Sequence, residues 1–346
     1  MQRRTFMTAG IGAGLGIAGA TVLGRSLLEN AAPGTMARGE LLADGQRVFT
    51  GADLAFGTTL TVQVAHADEK LATLAIEAAL DAAKQIDRLM SLHRADSQVV
   101  QLNTHGVLQQ PDPHLLQVIS FSQHLARQTG GAFDITVQPL WQLFTAAAAD
   151  GVLPDADARH AAMAATGWQR MQVDRNRIAL DPGMAITLNG VAQGYAVDLA
   201  RQALAARGIT NALLDTGEFG ARGEKTTGAK WTVGVRDPRD ANAMVGVVPM
   251  DGRCVATSGD YETFFTPDYL HHHIFDPATG DSPTQLASVT VIAPTGLQAD
   301  GWSTAFMVMG MERAIAQATT MPEVDLMMVD KAGAVWRSAG FPRVPG

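Results

Sequence analysis

The segment TLNGVAQGYAVD, residues Thr187–Asp198, marks a change from loop to helix in the sequence pattern. It opens with Asn189–Gly190, carries a second glycine at Gly194, and leads into apolar helical spacing that stops at Gly208. Asn189 is a residue type favoured at a helix N-cap, and Gly208 is a type favoured just beyond a helix C-terminus. Because glycine has no side chain, the opening also allows a close backbone approach. We therefore predict a helix whose start contacts a neighbouring element or a ligand.

The rest of the chain alternates between two periodicities, which together predict the fold class. Helical spacing is found at residues 67–91, 111–131, 156–167 and 296–319. Period-2, β-branched segments predict strands at 56–67, 211–217, 230–237, 244–250, 252–259, 287–294, 324–330 and 334–338, the last two joined by a hairpin at Lys331–Gly333. Helices dominate the first half and antiparallel-type strands the second, which indicates an α+β fold with antiparallel sheets and flanking helices.

Composition excludes several classes of protein. The chain has 346 residues, of which 47% are hydrophobic, and a formal net charge of -8. This acidic balance argues against nucleic acid as a partner. The single cysteine, Cys254, excludes an intramolecular disulfide, a thiolate zinc cluster and a CxxC redox pair. We expect Cys254 to be a small buried residue.

The N-terminus has the organisation of a twin-arginine export signal. Arg3 and Arg4 precede a weakly apolar run rich in glycine and alanine. The run is short and glycine-rich for a membrane span, so we expect no stable span in the mature chain. The predicted organisation is an export signal at 1–30, a polar linker at 31–47 and one domain at 48–346, exported to the periplasm.

Three oxygen-bearing side chains are spaced to share one helical face. Asp300, Ser303 and Thr304 stand at i, i+3 and i+4. A carboxylate and hydroxyls that converge on one point suit a hard cation such as Mg²⁺. Considered alone, Asp300 fits a helix cap better than a metal ligand.

The segment HHHIFDPATG, residues 271–280, contains three consecutive histidines before a turn. In an extended segment only His271 and His273 can share a face. A histidine beside a site entrance can act as a general base at neutral pH, although spacing alone also fits a surface histidine.

Two glycine-containing segments carry further polar candidates. Gly130–Gly131 either terminates a helix or allows a ligand to approach Phe133 and Asp134. Asp215 and Glu218 follow a predicted strand, where they can contact a ligand or bond the amides of a turn.

Taken in order, these segments resemble the ApbE family of FAD:protein FMN transferases. Seven blocks match the family pattern in register: FGT at 56–58, MSLHRADSQVVQLN at 90–103, GAFDITVQPLWQLF at 131–144, TLNGVAQGYAVD at 187–198, VATSGDY at 255–261, HIFDPATG at 273–280, and VTVIAPTGLQADGWSTAFMVMG at 289–310.

The resemblance implies an ApbE-like fold around a flavin-binding cleft and a Mg²⁺-dependent reaction. FMN would pass from FAD to a threonine or serine hydroxyl of a target flavoprotein, with release of AMP. By motif, His273 is the matching catalytic base. The metal positions are Gly190, through its carbonyl, with Asp300, Ser303 and Thr304. The flavin-nucleotide positions are Phe56, His93, Ala132, Phe133, Asp134, Thr187, Gln193 and Ile274.

Four of these positions depart from the family pattern. His93 replaces a tyrosine, Phe56 a methionine, Thr187 an aspartate and Gln193 a lysine. The LNGVAQGY version is similar to a NosX-type periplasmic branch, for which the acceptor would be the FMN-binding domain of a NosR-like protein. Two alternatives share the same site: an FAD pyrophosphatase that yields FMN and AMP, and a non-catalytic FAD-binding maturation factor.

Overall fold

The computed structural model describes residues 33–343. The predicted export signal lies outside this part of the chain. Within it, the α-helices are α1 (Glu69–Met90), α2 (Gln98–His105), α3 (Pro113–Gln128), α4 (Gln138–Ala149), α5 (Ala156–Ala164), α6 (Ala192–Ala206) and α7 (Gly296–Ala318). None of these helices is long and apolar enough to cross a bilayer.

The strands form one large sheet and two small ones. They are β1 (Thr35–Leu41), β2 (Arg47–Ala55), β3 (Thr58–His66), β4 (Val107–Gln109), β5 (Gln172–Val173), β6 (Arg177–Ala179), β7 (Ala212–Asp215), β8 (Phe219–Arg222), β9 (Thr232–Arg236), β10 (Met244–Pro249), β11 (Cys254–Gly259), β12 (Leu286–Ala293), β13 (Asp325–Asp330) and β14 (Val335–Arg337). The large sheet has the order β1-β2-β3-β7-β8-β11-β12-β13-β14, with antiparallel neighbours throughout. The predicted α+β class with antiparallel sheets is confirmed.

The large sheet is covered on both faces, and strand β12 shows this most clearly. All eight of its residues are buried. Val289 and Val291 pack into the core shared with the helices, whereas Ile292 packs into a second core under the β9–β10 hairpin. Successive residues of a strand point to opposite faces, so a continuous apolar run is expected for a strand covered on both sides.

Helix α1 packs against β2 and α6 because one face carries small and branched apolar residues. Its buried residues include Ala72, Ala75, Ile76 and Ala79, at helical spacing. Asp68 accepts a hydrogen bond from the amide of Leu71 and so caps the first turn. Alanines on this face let the two helix backbones come close together.

The predicted linker at 31–47 is wrong in part. Residues Thr35–Leu41 form β1, which pairs with β2 as the edge strand of the large sheet. Most β1 residues are exposed, since an edge strand with a polar sequence buries little surface. That exposure explains why the segment lacks the hydrophobic alternation by which strands are recognised.

Cys254 is free and buried on β11, as expected from the sequence. Burial raises the pKa of its thiol to about 12. The thiol therefore stays protonated at neutral pH and acts as a small core side chain.

Candidate functional site

A cleft of about 380 Å³ lies where several loops and helix ends meet. Its walls are formed by the β2–β3 turn, the end of α1, the loop between α3 and α4, the start of α6, the first half of α7, the β7–β8 turn, the C-terminal end of β11 and the loop that follows β11. The volume is within the range of sites that take small molecules and cofactors.

The structure brings together nearly all residues predicted for the site. His273, Gly190, Asp300 and Thr304 line the cleft, as do all eight predicted flavin-nucleotide positions: Phe56, His93, Ala132, Phe133, Asp134, Thr187, Gln193 and Ile274. Ser303 is the exception. It is fully buried behind the wall, and its hydroxyl donates to the Asp300 carbonyl at 2.8 Å.

Helices α6 and α7 touch backbone to backbone beside the cleft, and this contact positions Asp300. A Cβ on Gly194 would lie 2.1 Å from the Gly296 carbonyl oxygen and 2.6 Å from the Asp300 Cβ. The Gly194 amide donates to Asp300 Oδ2 at 2.9 Å. The expected close backbone approach at the helix start is therefore made to a neighbouring helix.

Two capping interpretations are wrong. Asn189 is not an N-cap, because α6 begins at Ala192 with Val191 in the cap position and no side-chain cap bond. Asp300 does not cap its own helix, where Thr295 accepts from the Gln298 amide. Asp300 instead accepts an amide from the first turn of α6.

The cleft is acidic. Asp134, Glu218, Glu262 and Asp300 line it, and within residues 33–343 no lysine or arginine does. Burial raises the pKa of Glu218, and the nearby charge of Asp300 raises it further. Burial also raises the pKa of Asp300. Such a cleft repels an anionic ligand unless a cation joins it.

Two carboxylates, Asp134 in the cleft lining and Asp215 at the end of β7, accept hydrogen bonds from groups of the cleft wall. Asp134 accepts from the amide and hydroxyl of Thr136 and from the amide of Trp168, at 2.7–3.0 Å. Asp215 accepts from the amide of Gly217 at 3.0 Å. These two residues hold turns of the cleft wall, which is the simpler of the two interpretations that the sequence allowed for Asp215.

The three histidines have separate surroundings. His273 is at the cleft, and its Nδ1 lies 3.1 Å from the Thr263 carbonyl oxygen. A carbonyl only accepts, so Nδ1 carries the proton and Nε2 has a free lone pair. Desolvation lowers the pKa of His273, so the ring is neutral at pH 7. His271 instead pairs with Asp281 at 2.7 Å, so the two do not share a site.

His272 is buried between them, where its Nε2 lies 3.1 Å from the Pro283 carbonyl oxygen and its Nδ1 accepts from the Ile274 amide at 3.4 Å. Burial lowers its pKa to about 4. His272 therefore anchors the loop that carries His273.

The four positions that depart from the family pattern, Phe56, His93, Thr187 and Gln193, each have a defined location at the cleft. Phe56 has a left-handed φ of 54° in the β2–β3 turn, where its amide donates to Asp87 of α1. Gln193 donates through Nε2 to the Thr216 carbonyl at 3.0 Å, next to the turn that carries Glu218. Thr187 accepts from the Asn189 amide at 3.3 Å, and His93 is exposed at the rim.

Ser258 and Glu262 also line the cleft, although neither was predicted as a site residue from the sequence. Ser258 is part of the VATSGDY block, whose match to the family was the available signal. Glu262 follows that block directly, and nothing in its spacing identifies it.

The donors in the cleft suit a hard divalent cation. Asp300 Oδ2 is bonded to Gly194, and no protein donor within residues 33–343 bonds its Oδ1. The Thr304 hydroxyl lies beside Gly190, since a Cβ on Gly190 would be 2.8 Å from Thr304 Oγ1. No group of three or more His, Cys, Asp or Glu residues in this part of the chain is arranged to hold a metal. Any cation here would thus use carboxylate, hydroxyl and carbonyl oxygens, the donor types that Mg²⁺ prefers.

Comparison with known proteins agrees with this architecture. The profile of the ApbE family matches residues 56–328. The chain is 35% identical over 305 residues to an FAD:protein FMN transferase of Klebsiella pneumoniae (strain 342), covering 82% of this chain and 86% of that protein. An FAD:protein FMN transferase of Salmonella typhimurium is 33% identical over 312 residues, with the same coverage of 82% and 86%.

A solved structure of the ApbE protein of Thermotoga maritima superposes with a TM-score of 0.77 and 30% identity, covering 86% of this chain and 100% of that one. The chain belongs to the ApbE family.

Proposed function

We infer that this protein is an FAD:protein FMN transferase, which moves FMN from FAD to a hydroxyl of a target flavoprotein. The observation that carries the inference is the cleft itself, in which His273, Asp300 and Thr304 face one space at the positions of the family motifs. Relatives with that name share up to 35% of their residues with this chain over most of its length.

We propose that Mg²⁺ is required and is held by Asp300, Thr304 and the Gly190 carbonyl. When bound, the ion neutralises phosphate oxygens and stabilises the charge that develops as the phosphoanhydride breaks. The acidic lining supports this, because a pyrophosphate placed among Glu218, Glu262 and Asp300 is repelled without a cation.

The reaction follows from the tautomer of His273. Its Nε2 lone pair accepts the proton of the acceptor threonine or serine hydroxyl. The hydroxyl oxygen then forms a bond to the FMN phosphorus, and the bond between that phosphorus and the AMP phosphate oxygen breaks. The products are a phosphoester-linked flavoprotein, AMP and the proton held by His273.

We further propose that the reaction takes place in the periplasm on an FMN-binding domain. The twin-arginine pattern at Arg3–Arg4 supports this location. The LNGVAQGY version of the helix start supports a NosX-type role with a NosR-like acceptor.

The test mixes purified protein, FAD, Mg²⁺ and an acceptor domain, and measures flavin fluorescence that survives denaturing electrophoresis. Transfer predicts a fluorescent acceptor band that a chelator abolishes. His273→Ala slows formation of the band while FAD stays bound. Free FMN with no labelled acceptor would show a pyrophosphatase, and bound FAD without turnover would show a maturation factor.

A further inference from the structure

Three hydroxyl groups form a hydrogen-bonded series between α7 and β11, with Thr304 and Ser258 in the cleft wall and Ser303 behind it. Ser303 Oγ lies 2.7 Å from Ser258 Oγ, and Ser258 Oγ lies 3.1 Å from Thr304 Oγ1. At its far end Ser303 Oγ lies 2.8 Å from the Asp300 carbonyl oxygen. Ser303 is fully buried and Ser258 is 9% exposed, so little water competes for these bonds.

The number of protons on each hydroxyl decides which residue is the donor in each of these hydrogen bonds. A hydroxyl has one proton, and a carbonyl oxygen has none to give. Ser303 therefore donates to the Asp300 carbonyl, and its proton is used there. The contact between Ser258 and Ser303 then requires Ser258 as donor. Since the proton of Ser258 is used in turn, Thr304 must donate to Ser258.

As the donor to Ser258, the Thr304 hydroxyl keeps its lone pairs for another partner. With its only proton directed at Ser258, the hydroxyl oxygen presents acceptor electrons elsewhere. Gly190 lies beside that oxygen, where an added Cβ would be 2.8 Å away. Thr304 lines the cleft, so its lone pairs are available to a cation that also contacts Asp300.

Thr304 has a competing orientation, which its surroundings disfavour. A helical threonine hydroxyl commonly donates to the carbonyl three or four residues back. For Thr304 the carbonyl four residues back is that of Asp300, which already accepts the Ser303 hydroxyl. The carbonyl three residues back is that of Gly301, and within residues 33–343 the Thr304 hydroxyl bonds Ser258 instead.

From this geometry we propose that Ser258 is a positioning residue for metal binding, which orders the Thr304 hydroxyl so that it meets the cation with lone pairs. Ser303 supports Ser258 one bond further from the cleft and is not itself a ligand. The proposal rests on the metal-dependent function inferred above, and it assigns roles to two hydroxyls behind the ligand shell.

The test measures metal affinity directly, by titrating metal-free protein with Mn²⁺ and following free Mn²⁺ by electron paramagnetic resonance, with and without FAD. Ser258→Ala is expected to weaken Mn²⁺ binding by roughly 10- to 100-fold, the usual effect of losing a partner that orients a ligand. Ser303→Ala is expected to weaken binding less, because Thr304 can still donate to Ser258. Ser258→Thr keeps the hydroxyl and is expected to restore affinity.

The matched control is Thr290→Val on β12. Thr290 is buried and its hydroxyl lies 2.9 Å from Thr257 Oγ1, so the variant also removes a buried hydroxyl bond. Thr290 has no hydrogen bond to Thr304 within residues 33–343, so we expect unchanged Mn²⁺ affinity in this variant. Thermal melting of each variant separates folding losses from metal losses.

Equal Mn²⁺ affinity in wild type and a folded Ser258→Ala variant would overturn the proposal, as would an equal loss in Thr290→Val. Absence of Mn²⁺ binding in the wild type would instead contradict the metal dependence of the proposed function. If Ser258→Ala does not fold, Ser303→Ala and Ser258→Thr decide the outcome by the same measurement.

Discussion

Replacement of Gly194 by alanine tests the backbone contact that positions Asp300. The added Cβ would lie 2.1 Å from the Gly296 carbonyl oxygen, whereas ordinary contact begins at 3.4 Å, so α6 and α7 must separate by 3.4 − 2.1 = 1.3 Å. The obstructing atoms are the Gly296 carbonyl group and the Asp300 Cβ, and none of these can rotate away. The same movement stretches the bond from the Gly194 amide to Asp300 Oδ2, now 2.9 Å.

The expected loss of stability has two parts. Overpacking a close contact costs about 1–3 kcal/mol. Loss of a hydrogen bond to a charged group costs about 1.5–3 kcal/mol. We therefore expect Gly194→Ala to lower the free energy of unfolding by roughly 2.5–6 kcal/mol, measured by urea denaturation and circular dichroism. Mn²⁺ affinity should fall too, because Asp300 shifts with the contact.

The matched control is Gly208→Ala at the end of the same helix. Gly208 has φ +75° and no atom within 4 Å of an added Cβ. Only the left-handed backbone then opposes alanine, at about 1 kcal/mol. If Gly194→Ala is no more destabilising than Gly208→Ala, the inferred contact between α6 and α7 is wrong.

Three further predictions concern charge. The pKa of His272 is about 4 in the folded protein, against an ordinary value of 6.5. Between these two pH values the unfolded chain binds a proton at His272 that the folded protein does not bind. The free energy of unfolding therefore falls as the pH drops from 6.5 to 4. About 3 kcal/mol should be lost over that interval at about 1.4 kcal/mol per pH unit, and urea titrations of His272→Gln should lack that loss. For transfer, the base form of His273 is required and its pKa is lowered, so the acid limb of a rate–pH profile should have its midpoint below 6.5 and vanish in His273→Ala. A midpoint above 6.5 would contradict this assignment. Glu218→Gln removes a carboxylate beside Asp300. We expect the metal-free protein to melt at a higher temperature and Mn²⁺ titration to show weaker binding. Tighter Mn²⁺ binding would contradict a role of the Glu218 charge in holding the cation.

Much of the fold followed from periodicity because its buried elements are strongly patterned. Helix α1 and strand β12 have continuous or regularly spaced apolar residues, and both lie where spacing predicts them. The elements that were missed include edge strand β1, the buried strand β2, and helices α2 and α4. Most β1 residues are exposed and α2 buries only Val99 and Leu102, so neither has the hydrophobic signal that periodicity detects.

The site was predictable for a different reason. Motif order gave the residues that line the cleft, including His273 and Asp300. Spacing alone predicts that Ser303 shares one helical face with Asp300 and Thr304. It does not predict which strand packs against that face. Ser258 supplies that strand contact, and the burial of Ser303 follows from it. Contacts between elements distant in sequence are the part that no local pattern contains.

The activity proposed for the Asp300 cleft is transfer of FMN from FAD to a protein hydroxyl. It is measured most directly by comparing the AMP released, by chromatography, with the FMN bound covalently to an acceptor domain, by intact mass spectrometry. We expect one AMP for each flavinylated acceptor with Mg²⁺, and neither product with Asp300→Asn. AMP released without a change in acceptor mass, or full transfer by Asp300→Asn, would contradict it.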